Sequence, residues 1–192
     1  MRNNFTKIQS YGKWSALFLD RDGVINERIS NDYVKKAEDF VFLPGSLEAI
    51  RKFSSFFEEI FIVTNQQGIG KGLMTVEELK LVHDKMNAEI EKTGGKISRI
   101  YFCSDLKSTG SIYRKPQVGM GLQAKREYPN LQFKYSFMVG DTRSDMEFGY
   151  RLGLCTVLIG SDQKALEKPY IVEACYKNLL DFANDLENYV KK

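Results

Sequence analysis

The chain has 192 residues, 43% of them hydrophobic, with 28 Lys+Arg against 25 Asp+Glu and a formal charge of +3. That length fits one compact domain and that apolar fraction fits a real core, which excludes a disordered chain. The slight charge, spread without like-charge blocks, argues against a nucleic-acid partner, and no apolar run approaches the ~18 residues of a membrane span.

In chain order, residues 1–13 are polar and lack the apolar stretch of a secretory signal. Short apolar runs then recur at 16–19, 60–63, 100–102, 137–139 and 156–159. Their hydrophobicity is continuous rather than alternating, which predicts strands buried on both faces of a parallel sheet. Helical patterns fall between them at 47–57, 75–91, 122–128 and 145–152, with a last one over 179–190. Thr75 and Glu78 stand at capping-box spacing, Gly153 is a suitable helix stop, and Asn178 is an available N-cap. This alternation predicts a doubly wound α/β fold, Rossmann-like, with helices on both faces of the sheet and residues 1–192 as a single domain. Two stretches break the pattern: 21–43, read as a hairpin-like flap, and 104–118, read as a polar loop over the sheet edge. The three cysteines, Cys103, Cys155 and Cys175, form neither a CxxC pair nor an even-numbered framework. They are read as core thiols of a protein in the reducing cytoplasm.

Ligands of an open parallel sheet bind beyond the carboxyl ends of its strands. The residues there are Asp20-Arg21-Asp22 after the first strand, Thr64-Asn65-Gln66 after the second and Gly140-Asp141, with Asp145 close behind, after the fourth. Arg114-Lys115-Pro116 precedes the helix leading into that fourth strand. Carboxylates gathered at one edge repel, by about 4 kcal/mol for two unit charges ~4 Å apart at an effective dielectric near 20. A divalent cation relieves this, and oxygen ligands without His or Cys favour Mg²⁺. Thr64 and Lys115 add a hydroxyl donor and a cation suited to phosphate oxygens. The spacing of Asp20 and Asp22 carries the most information. If Asp20 attacks phosphorus, the leaving alkoxide needs a proton, and Asp22 can supply it and then activate water.

These four motifs resemble, in order, those of the haloacid dehalogenase superfamily. More narrowly, Leu19 to Asn26, Asp32-Tyr33-Val34, Thr64 to Ile69 and Arg114-Lys115-Pro116 followed by Gly119-Met120 resemble the heptose bisphosphate phosphatase and histidinol-phosphatase branch, over about residues 14–190. The resemblance implies Asp20 as nucleophile, Asp22 as general acid and base, and Thr64 and Lys115 as stabilisers of the phosphoryl group. It implies Mg²⁺ held by Asp20, the main-chain carbonyl of Asp22 and Asp141. Asn65 and Arg114 would contact substrate, Arg114 at a distal group such as a second phosphate, and Tyr33 would line the pocket from the flap. Neither interval between the motifs has room for a cap domain, so a capless fold and a solvent-open site are expected. The implied substrate is a small phosphorylated metabolite, first of all D-glycero-D-manno-heptose 1,7-bisphosphate cleaved at its 7-phosphate, by a monomer. Histidinol phosphate, a 3′-phosphorylated polynucleotide and a non-catalytic phospho-ligand-binding role are the alternatives.

Two departures from the branch stand out. Many relatives carry three Cys and one His in a zinc loop before Arg-Lys-Pro; here 103–113 has Cys103 and no His, so no zinc is expected. Relatives often place Lys after the fourth-motif Asp, where this chain has Thr142, with Arg143 the nearest candidate to replace that cation. Asp145 reads equally as a carboxylate that supports the metal ligands from behind or as a helix-start carboxylate. His83, mid-helix, reads as a surface or satisfied histidine, and Gly68 to Gly72 as a flexible turn rather than a nucleotide loop.

Overall fold

The computed structural model describes residues 14–30 and 32–190; the polar N-terminal stretch and the final lysines lie outside the described residues. Six strands form one sheet: β1 (Trp14–Leu19), β2 (Phe57–Asn65), β3 (Arg99–Cys103), β4 (Ser136–Gly140), β5 (Cys155–Ile159) and β6 (Ala174–Tyr176). Their order is β3-β2-β1-β4-β5-β6 and every pairing is parallel. The helices are α1 (Ser46–Phe56), α2 (Gln67–Gly70), α3 (Val76–Lys92), α4 (Gly119–Glu127), α5 (Arg143–Leu152), α6 (Gln163–Leu166) and α7 (Leu179–Val190).

Both faces of the sheet are covered, which is why its strands read as unbroken apolar runs. Leu17, Leu19, Ile60, Ile62, Phe137 and Val139 face one layer made by α1, α3 and α7. Ala16, Phe18, Phe61, Val63 and Met138 face the other, made by α4 and α5. Phe182 of α7 anchors the first layer, its ring centroid 5.4 Å from that of Phe53 and 5.9 Å from that of Phe137.

The local signals act as expected at several helix ends. The Thr75 main-chain N–H donates to Glu78 Oε2 at 2.7 Å while Glu78 N–H donates to Thr75 Oγ1 at 3.1 Å, closing the capping box of α3. Gly153 ends α5 at φ 72°, and Asn178 Oδ1 accepts from Asp181 N–H at 2.8 Å at the start of α7. Helix α4 begins three residues before the periodic pattern, because Gly119 and Gly121 in its first turn hide it. Strand β6 was not expected: three residues at a sheet edge, two half-buried and one exposed, leave no apolar run to read. Cys175 lies on it and is exposed, so the core-thiol reading is corrected there; Cys103 is buried and Cys155 half-buried. Gly68 to Gly72 is also not a loose turn, since its first part is α2, packed against Tyr33 and the Ser104 carbonyl.

The flap pairs with itself as a hairpin would. Glu27 N–H donates to Val41 O and Leu43 N–H to Ile25 O, at 2.8 and 2.9 Å, around an antiparallel bridge between Asn26 and Phe42. The interval between Asp22 and Thr64 holds this flap, α1 and β2, and that between Thr64 and Lys115 holds α2, α3, β3 and the polar loop. No helix of the described residues is long and apolar enough to cross a membrane.

Candidate active site

The strand order reverses between β1 and β4, the switch point at which a doubly wound sheet opens a crevice. Leu19 is in register with Val139, and the Asp20 N–H donates to Val139 O at 2.9 Å, so β1 and β4 deliver Asp20 and Asp141 side by side. Asp20, Asp22, Tyr33, Thr64, Asn65, Arg114 and Lys115 line one cavity of about 490 Å³ at this edge. Residues from four separate segments thus converge on one space.

Lys115 is the hub. Its buried ammonium lies 2.8 Å from Asp20 Oδ1 and 2.6 Å from Asp145 Oδ1. Burial alone would lower its pKa, yet the facing charges of Asp145 and Asp20 raise it, so it stays charged. Asp145 is fully buried, and its second oxygen accepts from the Thr142 N–H at 3.0 Å and from Thr142 Oγ1 at 2.5 Å. It is therefore both a capping carboxylate for α5 and the counter-ion of Lys115. This placement needs Gly140, because a Cβ there would fall 2.1 Å from Asp145 Cβ.

Asp22 is held by its neighbours. Arg21 Nη2 donates to both its oxygens at 2.8 and 2.9 Å, Asn26 Nδ2 to Oδ1 at 2.9 Å and Gln66 Nε2 to Oδ2 at 2.9 Å. Burial pushes its pKa up, but the Arg21 charge and these bonds outweigh it and hold the carboxyl below the usual range. Gln66 also donates to Thr64 Oγ1 at 2.8 Å, which leaves the Thr64 hydroxyl proton free to point into the cavity. The Asn65 amide is used on the main chain of Lys115, accepting from its N–H at 3.0 Å and donating to its carbonyl at 3.2 Å. It holds the Lys115 segment against β2. Tyr33 and Arg114 stand at the cavity rim, Tyr33 beneath Lys71 Nζ, 5.4 Å from the ring centroid.

Sequence reading missed Arg21, Asn26 and Gln66 as supports of Asp22, and it missed Arg28 altogether. Arg21 is fully buried, and its Nη1 lies 3.2 Å from His83 Nε2. Burial first, and then the Arg21 charge, push His83 down to about 3, so its ring is neutral and accepts from Arg21. His83 is thus a satisfied, buried histidine. A base whose pKa is depressed on folding stabilises the protein only while it remains neutral. Stability is therefore lost as pH falls below the unfolded value of about 6.5, by about 2 kcal/mol between pH 7 and pH 5. As the one histidine of the chain, it is expected to give a single imidazole NMR signal that does not titrate above pH 5, with denaturant melts following the same acid limb.

Oxygens of Asp20, Asp141 and Asp145 lie within 4.8 Å of one another. Burial, then the neighbouring carboxylates, push Asp20 up to about 6 and Asp141 up to about 7, against the pull of Lys115 and Arg28. Such a set wants more positive charge than Lys115 supplies. The Arg28 guanidinium answers that demand, with Nη2 2.7 Å from the Asp22 carbonyl oxygen and 2.8 and 2.9 Å from the two Asp141 oxygens. The backbone keeps the place open: Gly23 has φ +92°, and a Cβ on it would lie 2.1 Å from Asp141 Oδ2. Hard oxygen donors around a bound cation are the donor set that suits Mg²⁺, so the residues fit that ion. Arg143, by contrast, does not join the site; its Nε donates to Glu147 Oε1 at 2.7 Å.

Residues 16–169 match the family model described as polynucleotide kinase 3 phosphatase. A D-glycero-alpha-D-manno-heptose-1,7-bisphosphate 7-phosphatase of Campylobacter jejuni is 40% identical over 172 residues, 90% of this chain and 95% of that protein. A D-glycero-beta-D-manno-heptose-1,7-bisphosphate 7-phosphatase of Pseudomonas putida is 35% identical over 79% of this chain and 87% of its own length. Among solved structures, a D,D-heptose 1,7-bisphosphate phosphatase from B. bronchiseptica, complexed with magnesium and phosphate, superposes with a TM-score of 0.83. It is 29% identical, over 91% of this chain and 99% of that one. With the motifs at the switch point and relatives of this similarity along nearly its whole length, the chain belongs to the heptose-1,7-bisphosphate 7-phosphatase family of haloacid dehalogenase-like phosphatases.

Proposed function

We propose that this chain is a Mg²⁺-dependent phosphatase that removes the 7-phosphate of D-glycero-D-manno-heptose 1,7-bisphosphate, working as a monomeric, single-domain cytoplasmic enzyme. The observation that carries the reading is the Asp20–Lys115–Asp145 ion-pair cluster beside Asp141, set at the switch point in a cavity sized for a small molecule. Asp20 Oδ attacks the phosphorus, the ester oxygen leaves with the proton of Asp22, and an aspartyl-phosphate forms on Asp20. Asp22, now a carboxylate, takes a proton from water, whose oxygen attacks the same phosphorus and frees phosphate and Asp20. The bonds from Arg21, Asn26 and Gln66 favour the ionised Asp22 of this second step. The negative charge of a phosphate bound at Asp20 favours the protonated form needed in the first. Lys115 and the Thr64 hydroxyl face the phosphoryl oxygens, where charge-assisted donors act most strongly. Mg²⁺, held by Asp20, the Asp22 carbonyl and Asp141, would neutralise the carboxylates and polarise the phosphoryl group. Arg114 and Lys71 at the rim supply positive charge for the phosphate that is kept.

The test is phosphate release from the alpha and beta anomers of the heptose bisphosphate, histidinol phosphate and a 3′-phosphorylated oligonucleotide, each with and without EDTA. Magnesium-dependent release is expected from a heptose bisphosphate, at a kcat/KM at least tenfold above the others by the usual scale of pocket discrimination. Preference for histidinol phosphate or for the oligonucleotide would reassign the substrate. Silence toward every ester with retained binding would make the chain a phospho-ligand-binding protein.

A further inference from the structure

Arg28 bridges the first-strand and fourth-strand sides of the site. One nitrogen, Nη2, contacts the Asp22 main-chain oxygen and both Asp141 oxygens, and lies 3.9 Å from Asp20 Oδ2. Those three residues are the ones that would hold Mg²⁺. Nη2 fills the point on which these oxygens converge, where an ion held at about 2.0–2.1 Å would have to lie, so the two cations compete for one place. Arg28 is also built to leave: it sits on the exposed part of the flap, and its side chain is 48% exposed. The ammonium of Lys115, at 2% exposure and between two carboxylates, has no such freedom.

We infer that Arg28 is an exchangeable internal cation that occupies the metal position in the magnesium-free protein, keeps the carboxylates together there, and is expelled when Mg²⁺ binds. The inference rests on the metal assignment of the proposed function and not on its substrate. Its charge is permanent, so the exchange is a competition between cations rather than a protonation event. Because Arg28 belongs to the flap, whose turn it ties to Asp141 across the sheet edge, metal binding also releases that tie. The expelled guanidinium remains beside the same cavity, near Lys71 and Arg114, where it adds to the positive rim that an anionic substrate meets. The order of events is then metal first and substrate second, with the flap freed in between.

Competition and reciprocity give the test. Calorimetric titration with MgCl₂, in the absence of substrate, is expected to show Arg28→Ala binding the ion about fivefold more tightly than the parent, the size of effect a partly exposed ion pair allows. The magnesium-free variant is expected to melt lower than the parent, and saturating Mg²⁺ to raise its Tm by more. Arg28→Lys, which keeps a charge but loses the planar fork, should fall between the two in affinity. Hydrogen exchange on the parent should show the amides around residues 27–30 losing protection when Mg²⁺ is added. Unchanged or weaker magnesium affinity in Arg28→Ala would overturn the exchange, as would a flap whose protection rises with the metal. Failure of the proposed substrate reading would leave both readouts untouched, whereas absence of any magnesium binding in parent and variant would overturn both.

Discussion

Replacing Asp20 with Asn is expected to abolish turnover, by on the order of 10⁴-fold or more, while leaving the fold intact. An amide oxygen is a far weaker nucleophile toward phosphorus, and no other carboxylate of the cluster is free to replace it. Asp145 is tied through both oxygens, by an ion pair to Lys115 and by hydrogen bonds from Thr142, and Asp22 is bonded by Arg21, Asn26 and Gln66. The structural consequence should be small. Burial, with Asp145 next, pushes Asp20 up to about 6, so above that pH its charge is a cost in the magnesium-free protein. Asp20→Asn removes that cost, and Lys115 keeps Asp145 as its partner. Circular dichroism and a denaturant melt should therefore match or exceed the parent, magnesium affinity should fall, and phosphate release should vanish. Retained turnover would remove Asp20 from the nucleophile's role.

Lys115→Met is expected to cause the largest loss of stability. Its ammonium is the buried cation between Asp20 and Asp145, and removal leaves two buried carboxylates facing each other. Breaking a buried pair from one side costs about 3–5 kcal/mol, which for a chain of this size lowers Tm by roughly 10 °C. Activity should fall as well, through loss of a donor to the transferring phosphoryl group. A second variant separates the two effects. Lys115→Met with Asp145→Asn removes the stranded charge and should recover much of the stability but none of the turnover. If the double variant melts no higher than the single one, the loss comes from packing rather than from uncompensated charge.

The two variants also mark the boundary between what could be read from the chain and what could not. Asp20 was legible because a carboxylate directly after a doubly buried strand can only stand at the sheet's ligand-binding edge. Lys115 was legible as a cation near that edge, but not as the clamp between Asp20 and Asp145. Asn65 shows the converse: its type and position point to a ligand, whereas folding uses both ends of its amide to hold the Lys115 main chain. His83 and Arg21 lie 62 positions apart, and no local pattern announces that a mid-helix imidazole will receive a guanidinium N–H.

The residue pattern alone carries the class of fold, the alternation of strands and helices, the caps at Thr75, Gly153 and Asn178, and the chain positions at which polar groups must collect. Those features follow from burial and hydrogen bonding within a few turns of chain, which is the range over which a residue pattern carries information. Only the tertiary structure decided the short edge strand β6, the partners of Asp22, the double role of Asp145 and the contact of Arg28 with an aspartate 113 residues away. These depend on distances of a few ångströms between segments that the sheet brings together. Electrostatic and hydrogen-bond energies change over such distances, while the order of residues along the chain stays the same.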